Sequence, residues 1–168
     1  VVALVVIALA AGAGLAGVEQ NATTVVEARG IRVETPRGWV QGEPAGDIVV
    51  RAWDPADPTR RMSVRELRQP SANLASVAVT RAAQWVRQEP SYRVLAEAEV
   101  LRDGAAAYRV DYAYVHDEPG QTPVVVRGAE FYVARGARRV VVTTFESDDG
   151  EFEDFERRFP SLTARWEE

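Results

Sequence analysis

The sequence predicts an α+β fold: an antiparallel β-sheet flanked by helices, preceded by one N-terminal transmembrane helix. Three observations predict it. Residues 1–18 (VVALVVIALAAGAGLAGV) carry no polar side chain before Glu19. Runs of alternating apolar and polar residues then follow one another with turn residues between them, the pattern of neighbouring strands. Only two later stretches switch to helical spacing, so the order is not the strand–helix alternation of a parallel sheet. The length of 168 residues suits one domain plus an extra element.

At 1.5 Å per residue the apolar run is roughly 27 Å long, close to a hydrocarbon core of about 30 Å. A cleaved signal peptide and a retained anchor both fit such a run, and we read it as a retained anchor. Leu15-Ala16-Gly17 looks like a lipobox, but Val18 stands where an acylated Cys would be, so this is not a lipoprotein. Gly12, Gly14, Ala16 and Gly17 leave room for close approach to another membrane helix. A short N-terminal tail before a long domain predicts an extracytoplasmic, periplasmic domain held by the bilayer. Residues 19–29 are read as a tether, and the domain as 30–168.

Within the domain, Ile31-Arg32-Val33 alternates as a strand and Pro36-Arg37-Gly38-Trp39 turns the chain. Asp47–Trp53 and Arg61–Leu67 are two more strands, separated by the double-proline turn at Pro55 and Pro58. Ser71 is the expected cap of a helix over 72–88, with Leu74, Val77, Ala78, Ala82, Trp85 and Val86 on one face and Pro90 ending it. Tyr92–Leu101 and Ala105–Val115 form a hairpin about Arg102-Asp103-Gly104. Val124–Ala134 and Arg138–Phe145 form another about Arg135-Gly136-Ala137. A last helix follows Ser147-Asp148-Asp149, with Phe152, Phe155 and Phe159 on one side.

Composition removes whole classes of chemistry. There is no Cys, one His (His116) and no Lys, all basic residues being Arg. Disulfides, thiol nucleophiles, Cys-bearing zinc sites and lysine Schiff bases are therefore excluded. The net charge of −5 and the absence of a clustered basic stripe argue against nucleic acid as a partner. The acidic run Asp148, Asp149, Glu151, Glu153, Asp154, Glu156 lacks the spacing of a calcium loop and reads as helix capping. Asp148, Asp149 and Glu151, with Trp166 near the C-terminal end, are the candidate partner surface. Asp54 and Asp57 are explained as turn formers, and His116-Asp117-Glu118 as a loop tip. Tyr108, Tyr112 and Tyr114, with Phe131 or Tyr132, form a stripe that reads as the buried face of a strand.

Gly30–Trp39, Leu101–Tyr108, and Phe152–Arg158 with Pro160-Ser161-Leu162 together resemble the Mog1/PsbP-like family over about residues 30–168. The resemblance implies a three-layer sandwich of antiparallel sheet and helices, without catalysis and without a cofactor. Members of that family include extrinsic subunits of photosynthetic complexes, a binder of a small GTPase and bacterial envelope lipoproteins. It implies for this chain a non-enzymatic, membrane-anchored accessory subunit that stabilises a larger membrane protein complex, photosynthetic in the first instance and respiratory in the second. A small-ligand or lipid carrier of the envelope is the rival. A carrier needs an enclosed apolar pocket, whereas a subunit needs apolar side chains exposed on one face.

Overall fold

The computed structural model describes residues 23–68, 73–102, 104–158 and 164–166. Among the described residues, ten strands and two helices succeed one another: β1 (Thr23–Ala28), β2 (Ile31–Pro36), β3 (Val40–Gly42), β4 (Ile48–Trp53), β5 (Arg61–Arg68), α1 (Leu74–Gln88), β6 (Arg93–Arg102), β7 (Ala105–His116), β8 (Val124–Arg135), β9 (Arg139–Asp148), α2 (Phe152–Arg158) and β10 (Ala164–Trp166). Seven strands form one antiparallel sheet in the order β3-β4-β5-β9-β8-β7-β6, and a small sheet has the order β1-β2-β10. The α+β class is as expected. The predicted span, with Gly12, Gly14, Ala16 and Gly17, lies outside the described residues. Among those described, no helix is long and apolar enough to cross a membrane.

Burial follows position in the sheet. β9 lies between β5 and β8, and Val140 through Ser147 are all buried because both faces are covered. On one face, Val50, Ala52, Met62, Val64, Ala129, Phe131, Val141 and Phe145 pack against Ile31 and Val33 of the small sheet and Phe152 and Phe155 of α2. On the other, α1 lays Val77 and Ala78 on Val110, Tyr132, Val140 and Val142. Beyond that aliphatic contact, Trp85 and Ala82 meet Tyr92, Tyr112, Tyr114 and Val126. The layers are α1, the large sheet, then the small sheet with α2.

Local chemistry sets the boundaries. Asn73 caps α1, its side chain accepting a hydrogen bond from Ser76 N at 2.9 Å. The expected cap, Ser71, is outside the described residues, and the helix begins at Leu74. Glu89 closes the helix through its N–H to Trp85 O, and Pro90 follows. Gly104 (φ 80°) and Gly136 (φ 65°) sit in the two hairpin turns, where the left-handed backbone needs glycine. Thr23–Ala28, within the stretch read as a tether, is a strand: it pairs residue for residue with β2, from Thr23 opposite Pro36 to Ala28 opposite Ile31. The alternation there is weak because β1 is a mostly exposed edge.

Candidate functional site

The acidic run ties α2 to the sheet. Glu151 and Asp54 both meet Arg60, and Asp57 lies 3.3 Å from the same guanidinium. Glu156 accepts from Arg109 at 2.7 Å, Glu153 lies 3.5 Å from Arg127, and Asp154 is 3.1 Å from Arg157. Asp148 caps a turn through Gly150 N at 2.8 Å, and Asp149 N donates to Val125 O at 2.9 Å. Of the predicted partner surface, Asp148 and Asp149 therefore adjoin Glu151 without an arginine of their own among the described residues. Trp166 lies in β10 opposite Ile31. Asp54 and Asp57 accept from Ala56 N and Thr59 N, which makes them turn formers as read. The Pro36–Trp39 turn stacks Trp39 on Phe155 at 5.7 Å and 3°. Among the described residues, no cluster of His, Asp and Glu could hold a metal ion.

Beneath the C-terminal half of α1 lies a polar network that sequence reasoning missed. Glu130 of β8 is fully buried; it accepts from Arg81 Nε of α1 at 2.9 Å and from the Tyr132 hydroxyl. Glu146 of β9 accepts from the Tyr112 hydroxyl at 2.6 Å and from Arg61 Nε, while Arg61 also donates to Tyr114. Tyr112 and Tyr114 are thus on a buried face, as read, while Tyr108 is half-buried and donates its hydroxyl to Glu97 at 3.0 Å; Tyr132 rather than Phe131 joins the stripe. Burial, then the negative charge of Glu146, pushes the Tyr112 hydroxyl well above the usual tyrosine range. Burial and Glu130 do the same to Tyr132 and Tyr92. These hydroxyls stay protonated donors. The signal for this network was two glutamates at inward positions of apolar strands, in Ala129-Glu130-Phe131 and Phe145-Glu146-Ser147.

The margins of the large sheet differ. β3 is three residues long, which leaves little to pair with. β6 is ten residues long, pairs with β7 alone among the described strands, and is exposed along most of its length. Val94 (38%), Leu95 (54%) and Leu101 (80%) stand in solvent on it. A groove of about 580 Å³ beside it is lined by Leu74, Val100, Leu101 and Tyr108 among others. With Leu101 so exposed, this groove is an open surface and no enclosed pocket.

No protein-family model matches the chain, and no curated protein matches it. Solved structures do. Cyanobacterial PsbP (CyanoP) from Synechocystis superposes with a TM-score of 0.63 at 12% identity, covering 84% of this chain and 89% of that one. LpqN of Mycobacterium tuberculosis, described as involved in cell envelope biogenesis, gives 0.50 at 17% identity over 84% and 87%. The Saccharomyces cerevisiae Ran-binding protein Mog1p gives 0.50 at 11% identity over 82% and 84%. At such identities the likeness carries the fold alone. The chain has a PsbP/Mog1-like fold.

Proposed function

We propose that the chain is a non-catalytic, membrane-anchored accessory subunit whose extracytoplasmic domain joins a larger membrane protein complex. The single observation that carries this reading is the β6 margin. Glu97 and Glu99 blunt its middle, leaving apolar Val94-Leu95 and Val100-Leu101 at its two ends. An extended segment of a partner can pair with the unpaired backbone while those side chains are covered. Its open groove suits a protein surface better than an enclosed small ligand, which weighs against the carrier reading. The likeness to cyanobacterial PsbP supports a photosynthetic setting. The anchor, through Gly12, Gly14, Ala16 and Gly17, and the Asp148–Asp149–Glu151 corner are further proposed contacts.

The test is site-specific photocrosslinking of the full chain in its native membranes. A crosslinker at Leu95 or Leu101 is expected to capture one discrete membrane-complex subunit, whereas one at the equally exposed Val79 of α1 captures none. Leu101→Arg should reduce co-purification of that subunit about tenfold. Equal labelling from all three positions, or a chain that migrates alone in mild detergent, refutes the reading.

A further inference from the structure

We propose that the groove between α1 and the β4–β5 side of the large sheet binds a small oxyanion, a carboxylate or phosphate group. The groove is about 200 Å³ and is lined by Arg51, Arg61 and Arg65 from the sheet, Arg81 and Trp85 from α1, and Thr144 from β9, among others. It lies away from the β6 margin and does not depend on the reading given to that strand.

Charge is the first argument. Four guanidiniums reach the groove from three elements. Three of them also hold a carboxylate: Arg61 with Glu146, Arg65 with Asp47 at 2.9 Å, and Arg81 with Glu130 at 2.9 Å. Arg51 has no acid partner among the described residues; its contact is the ring of Trp53, 5.9 Å from the guanidinium carbon. One positive charge is left over, at the exposed edge of the groove. The chain's own groups do not balance it. Glu146 is already held by Arg61 and Tyr112, and burial keeps the Tyr112 and Tyr114 hydroxyls neutral.

Unmet hydrogen bonding is the second. Arg65 Nε and Thr144 Oγ1 are both buried, both on residues lining this groove, and both without a partner among the described residues. Buried polar atoms are nearly always paired, so two such orphans beside one cavity point to a ligand that accepts from them. An oxyanion accepts from a guanidinium edge and from a hydroxyl at once, and arginine forks match carboxylate and phosphate geometry. The groove has room for an anionic group. Trp85 and Ile48 supply an apolar wall for whatever carries the group.

The experiment titrates the full chain, in non-ionic detergent at low salt, with sodium phosphate and separately with sodium acetate, following backbone and indole N–H resonances. Saturable shifts at Trp85 and Thr144 are expected with at least one of them. Arg51→Gln, at an exposed position, should weaken that binding about tenfold, as should the near-isosteric Thr144→Val. Thr144→Val should leave the melting temperature without ligand unchanged or higher, since its hydroxyl then has nothing to lose. Arg37→Gln, outside the groove, should bind as the parent does. Nanodiscs of phosphatidylcholine with and without about 30% phosphatidylglycerol separate the sources. Shifts at Trp85 and Thr144 that require phosphatidylglycerol, are lost in Arg51→Gln and are reversed by phosphate identify a lipid headgroup; phosphate or acetate binding without them identifies a free anion or an acidic side group. No saturable shift up to about 20 mM of either anion, or equal weakening by Arg37→Gln, overturns the proposal.

Discussion

Val141 and Val142 are neighbours in β9, yet they look into two different materials. Val141 belongs to the layer under the small sheet and α2, where Met62, Val64, Phe131, Phe145, Phe152 and Phe155 meet. Val142 belongs to the layer under α1, which is aliphatic at one end and turns into tyrosine, glutamate and arginine toward the other. The interior of the first layer is held by apolar area and ring contacts, such as Phe131 edge-on to Phe145 at 6.2 Å and Arg102 over Phe131 at 3.7 Å, and its ion pairs to α2 lie at the margin. In the second, every ionised group needs its counterpart, because an unpaired buried charge is far more costly than a paired one is stabilising. The comparison teaches where adaptability sits. An apolar layer tolerates volume-conserving change, whereas the charged layer specifies its partners and leaves a cationic groove where the pairing is incomplete.

The apolar layer should break by cavity formation. Phe152 is about 1% exposed, and Phe152→Ala should cost about 3–5 kcal/mol, read by urea denaturation. Phe155→Ala should fall in the same range. A loss below about 1 kcal/mol for both would mean that this layer does not hold α2.

The charged layer should break asymmetrically. Arg81→Met leaves Glu130 buried without its cation and should cost about 3 kcal/mol, whereas Arg81→Met/Glu130→Leu, made in a Tyr132→Phe background so that no hydroxyl loses its acceptor, should return to within about 1 kcal/mol of that background. Additive losses in the cycle would mean that the two groups do not interact, and would erase the contrast between the faces.

A steric test is smaller. A Cβ at Gly128 would overlap the ring and hydroxyl of Tyr112, a ring already pinned by Glu146 at 2.6 Å. Gly128→Ala should therefore cost about 1–3 kcal/mol by thermal melting.

The smallest effect at neutral pH becomes large in alkali. The folded state holds Tyr92, Tyr112, Tyr114 and Tyr132 protonated above the ordinary tyrosine range, chiefly by burial. Above about pH 10 the unfolded chain releases those protons while the folded chain keeps them. Stability then falls as pH rises, by up to roughly 1.4 kcal/mol per pH unit for each tyrosine. The Tyr92 hydroxyl has no partner among the described residues, so Tyr92→Phe should change little at pH 7 and should flatten this loss. Denaturation midpoints at pH 7 and pH 11 check it.

Much of this molecule was written in local pattern. The hairpin glycines, the α1 stripe ending at Pro90, the turn aspartates at Asp54 and Asp57, and the order of the strands after α1 all follow from short-range rules of backbone and amphipathicity. So did the inward stripe of Tyr108, Tyr112 and Tyr114, because a period of two assigns residues to a face. That period does not say what covers each face, and it could not choose between Phe131 and Tyr132. Only tertiary structure made β5 the neighbour of β9, pairing Arg61 with Glu146 across 85 residues of chain, and laid β10 against β2. Those pairings depend on packing summed over the whole sheet, and no residue near Arg61 announces Glu146. The Arg81–Glu130 pair and the arginine groove arise from the same long-range closure. The sequence by itself determined the elements and the composition of each strand's two sides; the tertiary structure decided which sides meet, because strand pairing and layer packing are set by contacts distant along the chain.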